Sequence, residues 1–345
     1  MRFIQVGVGG FGAVWVKVLK ENPAAQVVGM VDINQEALAK ACAEGGYDAS
    51  ICFTSLKKAI RRVKADALVC CTPPRYHRKD VVTALKAGLH AISEKPMADS
   101  LANCKVMLKT ALATGRTYTV SQNYRYSPPM WTLAQVLRSG RLGAVGQVKL
   151  DFFKGVDFGG GFRHEMEYPL VVDMSIHHFD LIRFLTGLDM VSVAGTAWNP
   201  SWSNYKGDCS SSLVFEARNG ERLLYNGSWC AKGDFCDWNG NWQIECERGT
   251  VTYRNGEIKI YEAPDLYKVA RTEIVPHGSM PTTAQAYVLD EFIRCVEGGQ
   301  RPATDVCDNI RSVAMVFAAV KAMRTGRKVP VLDAEIEELA GGSNA

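Results

Sequence analysis

At 345 residues the chain is long enough for two domains, and with 47% hydrophobic and 22% charged residues it can bury a substantial core without disulfides or metals. Its 40 basic and 36 acidic residues, a formal net charge of +4, are too evenly balanced for a nucleic-acid-binding face. Its 11 cysteines are scattered, with no Cys-x-x-Cys pair, which argues against a disulfide framework or zinc site and for reduced thiols in the cytoplasm.

The chain opens on a strand pattern, Arg2 to Val6, so no leader peptide is expected. No uncharged apolar run reaches about 18 residues, so no membrane span is expected either. The pattern then alternates. A helix is predicted over Phe11 to Lys20, a strand over Gln26 to Val31 and a helix over Gln35 to Glu44. The basic residues Lys57, Lys58, Arg61, Arg62 and Lys64 stand at helical spacing and read as a solvated helix face. Ala67 to Cys71 reads as a buried strand, Val81 to Ala87 as helix ended by Gly88, and Leu89 to Ser93 as strand. Leu101 to Thr114 is helix and Tyr118 to Ser121 strand. Such alternation implies a doubly wound parallel sheet with helices on both faces.

Near Gln122 the character changes. Pro128-Pro129 opens a helix to about Ser139. Strands follow at Gly146 to Phe153, Val191 to Trp198, Ser210 to Ala217, Arg222 to Trp229, Trp242 to Cys246 and Thr250 to Tyr253, bounded by Asn219-Gly220, Arg248-Gly249 and Asn255-Gly256. Tight turns between consecutive strands predict a large, mostly antiparallel open sheet in an α+β domain. Helices are expected at Leu170 to Leu185, Ala284 to Val296 and Asp305 to Arg324, and the segment from Glu335 reads as a frayed tail. The expected domains are 1–121, 122–334 and a tail, 335–345.

Gly7-Val8-Gly9-Gly10-Phe11-Gly12 is a Gly-x-Gly-x-x-Gly fingerprint between a strand and a helix. Gly7 permits the tight turn, Gly9 lets the backbone approach a pyrophosphate, and Gly12 lets helix and strand pack closely. The helix N-terminus then faces the phosphates. Asp32, about twenty residues further on, can accept from an adenosine ribose hydroxyl and would repel a 2′-phosphate, and no arginine follows within Ile33-Asn34-Gln35. NAD is therefore the expected cofactor over NADP, with Gly10, Phe11 and Ile33 as further contacts.

Further motifs follow in order: Thr72-Pro73-Pro74 with His77, then Glu94-Lys95-Pro96, Asn123-Tyr124-Arg125-Tyr126, and Asp173-Met174-Ser175-Ile176-His177 with Asp180. Together they resemble the Gfo/Idh/MocA (glucose–fructose oxidoreductase, inositol dehydrogenase, rhizopine catabolism) family over nearly the whole chain. The resemblance implies a Rossmann domain followed by a predominantly antiparallel α/β domain. It also implies NAD(P)-dependent redox chemistry on sugars and polyols, with Lys95, Asp173 and His177 as the catalytic group. Thr72, Pro73, His77, Glu94, Lys95 and Asn123 would line the cofactor crevice. By analogy the second domain's sheet would join a homodimer or homotetramer. Some relatives run a redox-neutral glycosidase or lyase reaction through a transient keto-sugar, which is the alternative activity.

These residue types suit the chemistry. An imidazole at His177 can take a hydroxyl proton as hydride leaves the carbon, and an ammonium at Lys95 can stabilise developing alkoxide charge. On a helix, Asp173, His177 and Asp180 would share one stripe. Asp173 would orient the imidazole or hold a neighbouring substrate hydroxyl; Asp180 would join the site or pair with Arg183. His178 points away from His177, so no metal site is expected. Tyr124, Arg125, Arg163, His164 and Tyr168 are the other substrate candidates. Arg163 follows three glycines, Gly159 to Gly161, and suits a carboxylate or phosphate. Of the tryptophans, Trp198, Trp202, Trp229, Trp238 and Trp242 read chiefly as core or interface.

Overall fold

The structure, a computed structural model, describes residues 1–341. Its first part runs β1 (Arg2–Val6), α1 (Gly12–Glu21), β2 (Gln26–Val31), α2 (Gln35–Gly45), β3 (Cys52–Phe53), α3 (Leu56–Arg62), β4 (Ala67–Cys70), α4 (Pro74–Lys86), β5 (His90–Ser93), α5 (Leu101–Thr114) and β6 (Tyr118–Val120). The strands form a six-stranded parallel sheet in the order β3-β2-β1-β4-β5-β6. Winding reverses between β1 and β4, which opens a crevice at the carboxyl ends of those two strands. All four β4 residues are buried, as a strand covered on both faces requires. The basic residues of α3 lie exposed, as expected.

The next stretch runs α6 (Pro128–Arg138), β7 (Val145–Phe153), α7 (Phe162–Glu165), a π turn (Leu170–Met174), α8 (Ser175–Thr186), β8 (Met190–Trp198), β9 (Ser210–Ala217), β10 (Arg222–Ser228), β11 (Asn241–Cys246), β12 (Gly249–Arg254), β13 (Glu257–Glu262) and β14 (Arg271–Val275). With β15 (Val329–Pro330) the strands make a nine-stranded sheet, β14-β13-β12-β11-β7-β10-β9-β8-β15. Every pairing is antiparallel except β7 with β10. Strands β13, β14 and β15 lie beyond those the sequence pattern predicts. Alternate residues face the core: Val148, Leu150 and Phe152 of β7, Leu213 and Phe215 of β9, Leu223 and Tyr225 of β10. Phe179 of α8 meets Phe215 and Tyr225 edge-on, with centroids 4.9 and 5.2 Å away. The other sheet face carries a polar ladder: Ser212 donates to Asn226, Asn226 to Asp151, and Asp151 pairs with Lys149.

The single helix expected over Leu170 to Leu185 is two elements. The Ser175 N–H bonds the Leu170 carbonyl, five residues back, so Asp173 sits in the wider π turn and His177 and Asp180 in α8. The extra residue per turn breaks the one-stripe arrangement that a continuous α-helix would give.

The chain closes with α9 (Ala284–Glu297), α10 (Val306–Thr325) and α11 (Ala334–Gly341). It divides into two compact units. The first comprises Met1–Asn123, Pro281–Ile310 and the segment from Glu335; the second comprises Tyr124–Met280 and Arg311–Ala334. This division differs from the contiguous 1–121, 122–334 and 335–345 expected, because the chain returns to the first sheet. Phe292 of α9 packs on Phe3 at 6.3 Å, Asn22 bonds Asp290 at 2.6 Å, and the Thr119 hydroxyl bonds the Thr304 carbonyl at 2.8 Å. The expected tail is likewise helical over Ala334–Gly341: Ile336 is buried, and Glu335 pairs with Lys105 and Lys109 on α5. Residues 342–345 lie outside the described residues. Among the described residues no helix is long and apolar enough to cross a membrane.

Candidate active site

At the β1/β4 crevice the glycines are required by the backbone itself. Gly7 has φ +80°, and a Cβ there would stand 2.7 Å from the Cys71 carbonyl carbon; one on Gly12 would stand 2.2 Å from the Gly7 carbonyl oxygen. Gly9, Gly10 and Phe11 lie exposed between them at the start of α1. Buried Gln5 clamps this turn from beneath, its Nε2 donating to the carbonyls of Gly7 (3.1 Å) and Gly12 (2.7 Å). Gln5 is not among the residues the sequence motifs single out; its one signal is a carboxamide between the apolar Ile4 and Val6 of β1. The Asp32 carboxylate accepts from the Val8 N–H and the Asn34 N–H, each at 3.0 Å, tying the β2 end to the glycine turn. Each of its oxygens keeps a second lone pair for a ribose hydroxyl, and Ile33 beside it is exposed. An exposed glycine turn at a helix N-terminus with a carboxylate at the end of β2 fits an NAD molecule.

Around this cradle the expected crevice residues take different parts. Thr72 and Pro73 follow β4, and the Thr72 hydroxyl donates to Asp80 on α4 at 3.1 Å. His77, expected to line the crevice, is instead wholly buried, with Nε2 2.6 Å from the Thr72 carbonyl and Nδ1 3.1 Å from that of Pro96. It braces the loops after β4 and β5 and has no open edge for a ligand. Glu94 is also buried, which pushes its carboxyl pKa up. It accepts from Trp15 Nε1 on α1 at 2.8 Å and from the Lys95 N–H at 3.2 Å. Glu94 therefore fixes the end of β5 against the nucleotide helix, and the half-buried Lys95 follows at the carboxyl end of that strand. Asn123 is half-buried at the start of the 3-10 turn Asn123–Tyr126.

In the second unit, Tyr124 and His177 lie ring on ring, with centroids 4.0 Å apart and planes 14° from parallel. Burial raises the Tyr124 hydroxyl above its ordinary pKa. Asp173 accepts from Arg163 Nε at 2.6 Å, and the Arg163 guanidinium lies over Phe158 and Phe162, 4.7 Å from each centroid. Tyr124, His177, Asp173 and Arg163 thus stand on one construction of loop, π turn and helix.

The remaining candidates turn inward. Arg125, expected at the substrate, grips buried Asp180 through Nε (2.5 Å) and Nη2 (2.6 Å), and Ser312 adds a bond to the same carboxylate at 2.9 Å. Asp180 is therefore neither at the site nor paired with Arg183, which bonds Asp189 at 2.7 Å. The Arg125–Asp180 pair ties the turn carrying Tyr124 to the helix carrying His177. Buried His164 stacks on Tyr205, centroids 4.7 Å apart, and Tyr168 is buried beneath the Arg324 guanidinium at 6.0 Å. Both are packing residues. His178 bonds the Tyr225 hydroxyl (3.2 Å) and the Trp238 carbonyl (3.1 Å); burial lowers its pKa to about 4. Of the tryptophans, Trp229 and Trp242 are buried, while Trp198, Trp202 and Trp238 are exposed.

Comparison with known proteins identifies the family. A model of the Gfo/Idh/MocA oxidoreductase family's NAD-binding Rossmann fold matches residues 1–122, and one of the family's C-terminal alpha/beta domain matches residues 134–331. The chain is 30% identical to the protein y4oX of Sinorhizobium fredii, covering 96% of this chain and 95% of that one. It is 26% identical to an inositol 2-dehydrogenase of Rhizobium meliloti over 96% and 99% of the two chains. An oxidoreductase from Agrobacterium radiobacter, solved with NAD+, L-tartaric acid and magnesium, shares the fold at a TM-score of 0.86 and 20% identity, over 96% of this chain and 98% of that one. With a glycine cradle built for NAD and both family domains matched, the chain belongs to the Gfo/Idh/MocA family of NAD-binding oxidoreductases.

Proposed function

We propose that the protein moves hydride between NAD and a ring carbon bearing a hydroxyl on a sugar or polyol. The observation that carries this reading is Lys95, standing at the end of β5 with Glu94 bonded to the nucleotide helix. The likeness to an inositol 2-dehydrogenase supports the substrate class. The nicotinamide supplies the hydride acceptor or donor. Lys95 donates a hydrogen bond to the substrate oxygen and stabilises its charge as the proton departs. His177 takes that proton on its imidazole, whose plane is fixed by the Tyr124 ring. Asp173, held by Arg163, accepts from a neighbouring hydroxyl and orients the sugar. Asp32 favours NAD over NADP by repelling a 2′-phosphate.

The test is absorbance at 340 nm with NAD and NADP across inositols, aldoses, sugar acids and glycosides. Net NADH formation is expected, and Lys95→Ala and His177→Ala should each lose roughly 10²-fold or more in kcat while NADH still binds. Near-wild-type turnover in either variant removes that residue from the mechanism. Glycoside cleavage with no NADH accumulating would replace hydride transfer to a free product by the redox-neutral reaction. Asp32→Ala should weaken NAD binding and narrow its lead over NADP; unchanged NAD affinity would reject the ribose role.

A further inference from the structure

Resting on the function just proposed, we propose that Arg163 reads an anionic group on the substrate, so that the preferred sugar or polyol carries a carboxylate or phosphate. Three observations converge on its guanidinium. First, its guanidinium carbon lies 4.7 Å from the ring centroids of both Phe158 and Phe162, and Phe158 is itself anchored edge-on against buried Trp229 at 5.1 Å. Two ring contacts and the bond to Asp173 restrict this arginine before any ligand arrives, which lowers the cost of binding one.

Second, Asp173 uses only one corner of the fork. Its carboxylate bonds Nε at 2.6 Å, and the two terminal amino groups have no acceptor among the described residues, although the side chain is only 31% exposed. Arg125 is the contrast: its bidentate grip on Asp180 is closed and buried. Arg141 shows that one guanidinium in this molecule does serve two carboxylates, Nε bonding Glu262 and Nη2 bonding Glu273. The Nη edge of Arg163 has the planar, paired-donor shape that matches a carboxylate or phosphate.

Third, the loop delivering Arg163 is free of steric demands. Gly159, Gly160 and Gly161 have φ of +68°, +92° and +88°, and a Cβ on any of them would meet nothing within 4 Å. The chain turns through conformations that suit glycine while leaving open space around them. A sugar hydroxyl held by Asp173 would thus stand beside a guanidinium whose Nη edge has no acceptor among the described residues.

Matched substrates test this: glucose, glucuronate and glucose 6-phosphate, and a neutral inositol beside an aldonate, compared in wild type, Arg163→Gln and Arg163→Lys. Because Arg163 also holds Asp173, the readout is the ratio of charged to neutral substrate within each protein. In wild type one charged member should lead its neutral partner by roughly ten- to hundredfold in kcat/KM, mostly through KM. Whether glucuronate or the 6-phosphate leads identifies the anion. Arg163→Gln should bring the ratio to about one, and Arg163→Lys should restore part of it. Equal use of charged and neutral sugars by wild type overturns the proposal. So does an equal loss on both in Arg163→Gln, which would leave Arg163 as the partner of Asp173 alone. Calorimetry on the NADH-loaded protein reads the same preference without turnover. Arg163-dependent binding of the charged sugar with no hydride transfer would sustain this inference while the proposed reaction fails, and charge-indifferent binding would overturn the inference whatever the reaction.

Discussion

The glycine cradle of the first unit and the cluster around His177 in the second are built on opposite principles. In the cradle the backbone does the positioning: the space beside Gly7 and Gly12 is filled by carbonyl groups, so no other residue fits. In the His177 cluster side chains position other side chains. The buried Arg125–Asp180 pair joins two elements, a tyrosine ring lies flat on the imidazole, and an arginine gripped by two phenylalanines holds a carboxylate. Even the glycines differ, since those at Gly159 to Gly161 answer to backbone dihedral angle alone. A backbone-built site is written in a short motif, whereas a side-chain-built site depends on partners far apart in the chain.

The sharpest break in this contrast is expected from Asp180→Ala. It strands a buried arginine, and the cost should be about 3–5 kcal/mol in a urea titration. NADH binding, measured where the variant is still folded, should survive. Loss of less than about 1 kcal/mol would mean that the pair is not the anchor of the cluster.

Acid separates the two regions next. His178 packs beside the cluster and is held neutral by burial, with a pKa of about 4, whereas an unfolded histidine titrates near 6.5. Between those values the unfolded chain binds the extra proton, so stability present above about pH 6.5 falls as pH drops towards 4, by up to about 3 kcal/mol. Tm measured from pH 7 to 4.5 should show the fall, and His178→Gln should flatten it. An identical slope in the variant would assign the loss to other groups.

Gly12→Ala tests the backbone-built side. A methyl pressed on the Gly7 carbonyl should cost about 1–3 kcal/mol and abolish NADH binding at concentrations that saturate the wild type. Retained affinity would show that the turn can open without penalty. The smallest effect is expected from Gly160→Ala, about 1–2 kcal/mol for a β-carbon at positive φ, with NADH binding unchanged. A Gly160→Ala variant that abolished NADH binding as Gly12→Ala does would show that the two sets of glycines are not separate in function.

Legibility in the sequence followed the same line. The glycine fingerprint, Asp32 and the alternating strands of the first sheet could be read because each depends on neighbours within a few residues or on a simple period. Gln5 could not, since its partners are carbonyls across a turn. His77 was misassigned because a histidine beside a crevice and a histidine bracing two loops look alike until the carbonyls of Thr72 and Pro96 are in place. Arg125 and Asp180, 55 residues apart, each looked like a ligand-binding residue when read alone. Strand β14 escapes the pattern because it is the edge of the sheet and none of its residues is fully buried, whereas β13 does alternate, with Ile258 and Ile260 buried, and could have been found from that period.

The alternating elements of the first sheet, the antiparallel character of the second and the place where a dinucleotide meets the chain are legible in the residues alone, because periodicity and glycine sterics act locally. The return of α9 and α11 to the first unit, the π turn that separates Asp173 from the helix of His177, and the open edge kept by Arg163 rather than Arg125 emerge only in the folded chain. Each of those outcomes turns on which buried charge or ring finds a partner across long chain separations, and burial exists only once the chain has folded.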